Sequence, residues 1–395
     1  MADDIQYLVG DEISSIKPLE PYDETVVAFL NEFSSALMKD AQCKMFPDII
    51  TFAFWARKAN IARLKRDYPM QGVRLGRGLA FHIAPSNIPI NFIFTYAFGL
   101  LAGNANVVRI SSKEFPQVDQ VCRVLNALLS EPRNKPIADR TAIVRYSRQS
   151  DHTKIFSSAC HARIIWGGDQ TIEIIRRNPI APRTIDIAFA DRYSLVVIAG
   201  DELIDADENA FSRLMTNFYN DTYLMDQNAC SSPQLILWTG ERRDAAKERF
   251  WQGVFDYAKH RYELSPIKVV DKYLQTCLDA IDFDEIDRVQ RHGNLVWRVS
   301  LKTLNPLTND RIRGKFGLFF EYDLNDWAEL WKVVNEKYQT LTYFGVDAQQ
   351  IAELVRDNGL LGIDRIVPIG KALDINIFWD GFNLIEALSR NIYFE

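Results

Sequence analysis

The sequence predicts an α/β protein of two domains, each built on a mainly parallel sheet. Three observations lead there. From residue 79 onward, apolar strand-like runs alternate with helical patterns across short connections, which indicates parallel strands with helices on both faces. At 395 residues the chain is too long for one ordinary core. The alternation also starts afresh after the acidic stretch DELIDADE (201–208), which marks the join.

Residues 21–66 carry apolar side chains at three- and four-residue spacing, with basic residues gathering toward the end, and predict helices. A glycine-marked turn, GVRLGRG, precedes the strand at 79–84. A helix from about Pro89 to Ala102, a strand at 105–110, a helix near 116–130 and the strand TAIVRYS follow. A short helix around 151–157, the strand ARIIW, a helix near 171–177 and the strand SLVVIA complete the first domain, expected over 1–204 together with the N-terminal helices. The second domain, expected over 205–368, opens with the helix AFSRLMTNFYND. It continues through the strand QLILW, a helix over 244–263, strands in LVWRVSLKTL and KFGLFFEYDL, a helix over 326–339 and the strand TLTYFGV. The segment 369–395 is expected to dock back on the first domain.

Composition excludes several function classes. Apolar residues at 47% and charged residues at 25% are globular values, and a net charge of -6 gives no basic surface for nucleic acid. Five scattered cysteines without paired spacing fit reduced thiols better than a disulfide framework. The five histidines form no spaced cluster with acids or thiols, so no metal site is expected. The N-terminus lacks a basic segment followed by an apolar core, and the longest apolar stretch, 88–102, is too short to span a bilayer. A soluble cytoplasmic protein is expected.

Three stretches carry chemistry. In DQNACSSPQLILW, Cys230 sits among polar residues at a loop-to-strand join, a setting suited to a nucleophilic thiolate, although a cysteine is more often a small buried hydrophobe. Asn87 lies between an apolar strand and a helix opened by Pro89, so its amide either points to a ligand at the sheet edge or serves the turn. Arg109 ends the next strand ahead of Ser111 and Ser112, and either grips a phosphate or is solvated. In ARIIWGGDQTIEIIRR, a strand meets Gly167 and Gly168 and then a helix start, the topology for a pyrophosphate on helix N–H groups, without the G-x-G-x-x-G fingerprint.

Together these stretches resemble the aldehyde dehydrogenase superfamily, in which a P-x-N-x-P loop, a basic residue followed by Ser, a glycine turn and a Gln-x-x-Cys segment follow one another. The matching residues are Pro85, Asn87 and Pro89, then Arg109 and Ser111, Gly167 and Gly168, and Gln227 and Cys230. QNACSSPQ and the tail RIVPIGKALD…FWDGFNLIEALSR are similar to the bacterial LuxC-type acyl-CoA reductases, over most of the chain from about residue 70.

The resemblance implies an aldehyde dehydrogenase-like fold, Cys230 as acyl carrier and Asn87 as oxyanion donor. It further implies cofactor contacts at Arg109, Ser111, Gly167 and Gly168, with Phe316 beside the nicotinamide. It also implies an acyl-CoA substrate, an acyl-protein synthetase partner and a homo-oligomer. An arginine at position 109 favours NADPH, because a guanidinium pairs with the 2′-phosphate where an acidic residue would select NAD. Two departures stand out. The family's water-activating glutamate falls on Ala188, and the glutamate of E-x-F-G-P falls on Gly314, ahead of Lys315, Phe316 and Gly317. Loss of the first favours reduction of a thioester over its hydrolysis. A short-chain CoA-acylating dehydrogenase, an acyl-phosphate reductase and a non-catalytic scaffold for a synthetase are the competing readings.

Overall fold

The computed structural model describes residues 5–395, which fall into two compact units. One comprises the chain up to Asp191 together with Ile375–Glu395, and the other is Arg192–Asp374.

The first unit is built on six strands. They are β1 (Gln6–Gly10), β3 (Leu79–Ile83), β4 (Ala105–Arg109), β5 (Thr141–Arg145), β6 (Ala162–Trp166) and β7 (Ile185–Phe189), in the order β1-β5-β4-β3-β6-β7. All neighbours are parallel except β1 on β5. The chain runs outward from β3 through β4 to β5 and then crosses to β6 on the other side of β3. The strand order therefore reverses between β3 and β6, the place where open parallel sheets bind ligands at their carboxyl ends.

β3 is wholly buried, and the helix after it, Asn91–Leu101, is buried on every side. That is why its sequence, NFIFTYAFGLL, is apolar all round. The N-terminal helical region resolves into Glu24–Lys39, Pro47–Trp55 and Lys58–Asp67. Asp23 caps the first by accepting from Thr25 N–H at 2.8 Å. β2 (Val73–Gly76) pairs antiparallel with Ser389–Ile392, and the Leu388 carbonyl accepts from Asn104 Nδ2 at 2.9 Å. Ile377, Leu384, Ile385 and Leu388 join the core of this unit.

The second unit holds a seven-stranded sheet of β8 (Tyr193–Ala199), β9 (Leu235–Thr239), β10 (Ile286–His292), β11 (Val296–Leu301), β12 (Leu318–Asp323), β13 (Tyr338–Phe344) and β14 (Arg365–Pro368). Its order is β10-β11-β12-β9-β8-β13-β14, parallel apart from the β10–β11 pair. β8 is buried along its whole length, as a central parallel strand covered on both faces must be. The mainly parallel α/β architecture is as the alternating sequence predicts.

One expected element is cut short. The helix anticipated over 326–339 covers only Trp327–Trp331. Asn335 turns the chain, its side chain accepting from Lys337 N–H at 2.9 Å and its carbonyl from Tyr338 N–H at 3.1 Å, and β13 begins there. A helix over Pro266–Asp282 also forms, in a stretch where no element is expected.

Candidate active site

In the first unit, the expected cofactor-facing residues emerge from the carboxyl ends of neighbouring parallel strands: Asn87 after β3, Arg109 and Ser111 after β4, and Gly167 and Gly168 after β6. Asn87 lies on an exposed bend between β3 and the following helix. The buried histidine on the same strand is structural. His82 bridges Thr95 Oγ1 at 2.7 Å and Asn106 Oδ1 at 3.0 Å, and burial holds its pKa down at about 4, so it stays neutral.

Arg109 lies over the Tyr146 ring at 5.4 Å, and its buried Nε has no hydrogen-bond partner. Burial lowers its pKa, and the neighbouring Arg148 adds like-charge repulsion. The Arg145 Nη2 is likewise buried without a partner, while its Nε donates to the Ser111 carbonyl at 3.2 Å. Three guanidinium groups thus gather where β4 and β5 end, with buried N–H groups left unsatisfied. That is a donor set that an anion would complete.

Ser111 turns the chain there, its Oγ accepting from Lys113 N–H at 3.0 Å. Gly168 precedes the helix Asp169–Arg176 in extended conformation, and a side chain at its Cα would meet nothing within 4 Å. Space over this backbone is open to a ligand. Ala188 sits on β7, two residues beyond Asp186, and alternate residues of a strand share a face. Asp186 is held by Arg163 Nη2 at 2.7 Å and Arg176 Nε at 3.2 Å, so the nearest carboxylate on that face is already engaged.

In the second unit the expected site residues lie at the opposite edge of a sheet. Cys230 precedes β9 and Phe316 precedes β12, which are adjacent strands, and Ser194 opens β8 on the other side of β9. All three are at amino ends. Ser194 Oγ donates to the Cys230 carbonyl at 2.6 Å, and Ser232 Oγ donates to the Asp221 carbonyl at 2.7 Å.

The motif glutamine is buried and acts on the backbone. Gln227 Nε2 donates to the Leu318 carbonyl at 3.0 Å, and its Oε1 accepts from Gly317 N–H at 2.8 Å. Gln234, on the other side of the cysteine, accepts from Gly314 N–H at 2.7 Å and donates to the Gln227 carbonyl at 3.1 Å. Two amides therefore fix the Cys230 loop to the Phe316 loop. Cys230 is partly exposed in this frame, whereas burial pushes the thiols of Cys43, Cys122 and Cys160 up to about 12 and keeps them protonated.

This frame is strained. Asp226, Gln227 and Phe316 have φ of 53°, 60° and 58°, in the left-handed region that costs a bulky residue about 1–3 kcal/mol. Lys272, fully buried on the helix Pro266–Asp282, holds the Phe316 carbonyl at 2.8 Å and the Asn294 carbonyl at 2.5 Å. No carboxylate balances it within hydrogen-bond reach among the described residues, and burial pushes its pKa down to about 7. The Asp226 carboxylate meets Lys268 Nζ at 2.8 Å and the Tyr262 hydroxyl. Sequence reasoning missed Lys272, Gln234, Ser194 and Asp226. The left-handed pair beside the cysteine was signalled only by an Asp in the tight polar run before it. Among the described residues no cluster with metal-ligand character occurs, and no helix is long and apolar enough to cross a membrane.

Solved structures with this fold include an NAD-dependent benzaldehyde dehydrogenase from Corynebacterium glutamicum, at 12% identity over 98% of this chain and 94% of that one, with a TM-score of 0.61. Another is a salicylaldehyde dehydrogenase from Pseudomonas putida G7, at 13% identity over 95% and 87% of the two chains, with a TM-score of 0.62. The fold is that of the aldehyde dehydrogenases. Residues 3–391 match the family described as acyl-CoA reductase (LuxC), and the chain belongs to that family. A Vibrio harveyi protein named long-chain acyl-protein thioester reductase is 25% identical over 174 residues, which is 43% of this chain and 34% of that relative. The match thus spans about a third of the relative's length.

Proposed function

We propose that this chain reduces a long-chain fatty acyl thioester to the aldehyde with NADPH, carrying the acyl group on Cys230. One observation carries the reading: a partly exposed cysteine on a loop braced by Gln227, Gln234 and Ser194, in a chain of the LuxC family. Membership of that family and the name of the Vibrio harveyi relative support an acyl thioester as substrate. The donor is acyl-CoA, or an acyl group handed over by an acyl-protein synthetase partner.

In this reading the Cys230 thiolate adds to the thioester carbonyl and expels the thiol. The Asn87 amide and the Cys230 backbone N–H are assigned to the oxyanion, and removing one such donor costs roughly 3–4 kcal/mol of barrier. NADPH, when bound, would supply the hydride, and the C–S bond to Cys230 then breaks so that the aldehyde leaves and the thiolate is regenerated. Arg109 and Ser111 are assigned to its 2′-phosphate and ribose end, Gly167 and Gly168 to the pyrophosphate, and Phe316 to the nicotinamide end. The unsatisfied Arg109 Nε and Arg145 Nη2 and the open space over Gly168 support a phosphate-bearing cofactor. Ala188 in place of a carboxylate, with Asp186 tied to two arginines, supports an acyl-cysteine that is protected from water.

The test is a steady-state screen of acyl-CoAs from acetyl to palmitoyl with NADPH and with NADH, with aldehyde as the product measured. The reading expects the highest kcat/KM with long chains and NADPH. Activity confined to acetyl- or propionyl-CoA, or to NADH, would replace it with the short-chain alternative.

A further inference from the structure

The helix Pro266–Asp282 is inside out. Its inner face is polar, with Lys272, Thr276 and Asp279 buried. Its outer face is apolar, with Ile267, Val270, Leu274, Leu278 and Ile281 between 46% and 78% exposed. Tyr273 and Cys277 lie on the same side, and at 100° per residue the seven fall within roughly 140° of arc. A soluble helix normally turns such a stripe to the core, so a continuous exposed one marks a surface that something covers.

We infer that a second copy of this chain covers it, through antiparallel pairing of the two helices about a twofold axis at Leu274. The stripe positions 267, 270, 274, 278 and 281 read the same in both directions from residue 274. Antiparallel pairing sets Leu274 against its own copy, Val270 against Leu278 and Ile267 against Ile281. A self-complementary patch of this kind is what a twofold interface requires.

Charge agrees. The chain entering the helix carries Lys259, His260, Arg261 and one acid, Glu263, whereas the chain leaving it carries Asp282, Asp284, Glu285 and Asp287; Lys268 faces inward, held by Asp226 at 2.8 Å. Antiparallel pairing lays each basic end along the partner's acidic end, whereas parallel pairing would set acid against acid. The apolar face amounts to roughly 700 Å² per copy, near the ~800 Å² per partner of a standard interface. Neither the roles of Cys230 and Arg109 nor the choice of cofactor enters this inference.

Sedimentation velocity on the full chain, at about 50 µM to stay above the micromolar end for interfaces of this size, reads it directly. Leu274→Glu places two carboxylates on the axis and should weaken this self-association on the order of 100-fold or more, halving the mass. The residue is exposed, so Tm in dilute solution should hold, and Leu278→Glu should repeat the result. In a chain with Cys230 and Cys277 replaced by Ser, Leu274→Cys should cross-link copy to copy with a short bismaleimide. Leu278→Cys should not, because its own copy lies about 12 Å further along the axis. A wild-type chain that stays monomeric, an oligomer whose mass Leu274→Glu leaves unchanged, or cross-linking equal at both positions would overturn the proposal and assign the face to another protein or to lipid.

Discussion

Replacing Lys272 by methionine separates two consequences of one buried ammonium. The lysine holds the carbonyls of Phe316 and Asn294 and lies over the Trp297 ring at 5.3 Å. Methionine keeps the length and apolar stem, removes the buried charge and leaves two carbonyls without that donor. Exchanging a buried charge for an apolar group of similar size is often neutral or stabilising, so the variant should fold. The pH dependence should change. Burial puts the folded pKa at about 7, below its ordinary 10.5, so between those values the unfolded chain binds more protons than the folded one. Wild-type stability from this group is therefore lowest below pH 7 and rises with pH through that window, by at most about 1.4 kcal/mol per pH unit. Urea unfolding of both proteins at pH 7 and pH 9 should show the wild type gaining about 2 kcal/mol relative to Lys272→Met. The loop effect appears separately, in the cofactor. Phe316 sits in a conformation that costs about 1–3 kcal/mol, and without its tether KM for NADPH should rise about 10-fold while acylation of Cys230 is unchanged. Parallel pH slopes in the two proteins would refute the buried charge, and an unchanged KM would refute the tether.

Three further outcomes follow from the same geometry. Arg109→Glu should raise KM for NADPH at least about 10-fold more than KM for NADH in parallel assays, and equal losses would move the 2′-phosphate elsewhere. Gln227→Ala strips partners from Gly317 N–H and the Leu318 carbonyl, both in buried backbone, and should cost about 2–4 kcal/mol in urea unfolding. A loss below about 1 kcal/mol would mean that the loops hold each other by other contacts. Acyl-enzyme prepared without cofactor should release free acid over hours, followed by mass spectrometry, and release within seconds would reveal a base that neither Ala188 nor Asp186 provides.

The α/β alternation was legible because parallel strands and their covering helices write different periods into the chain, and the strands from β3 to β6 lie close to where those periods put them. Asn87, Arg109 and Gly167 were legible for the same reason, since residues that end parallel strands share one edge of the sheet. Cys230 was singled out by its polar company, and the fold puts it at an amino end of its sheet, where a rule about carboxyl ends would not look. What the chain hid was long-range pairing. Gln227 and Gln234 meet the 314–318 loop across 80 residues or more, and no local pattern encodes that. Lys272 was hidden by its helix. KVVDKYLQTCLDAID reads as an ordinary amphipathic pattern whose lysine would face solvent, and the fold turns it the other way.

The central claim is that Cys230 carries the acyl group, and intact-mass spectrometry after mixing with palmitoyl-CoA in the absence of NADPH tests it most directly. One acyl group should appear on the wild-type chain, none on Cys230→Ala, and addition of NADPH should clear the adduct as aldehyde forms. An unmodified wild-type chain, or an adduct that survives Cys230→Ala, would contradict the account.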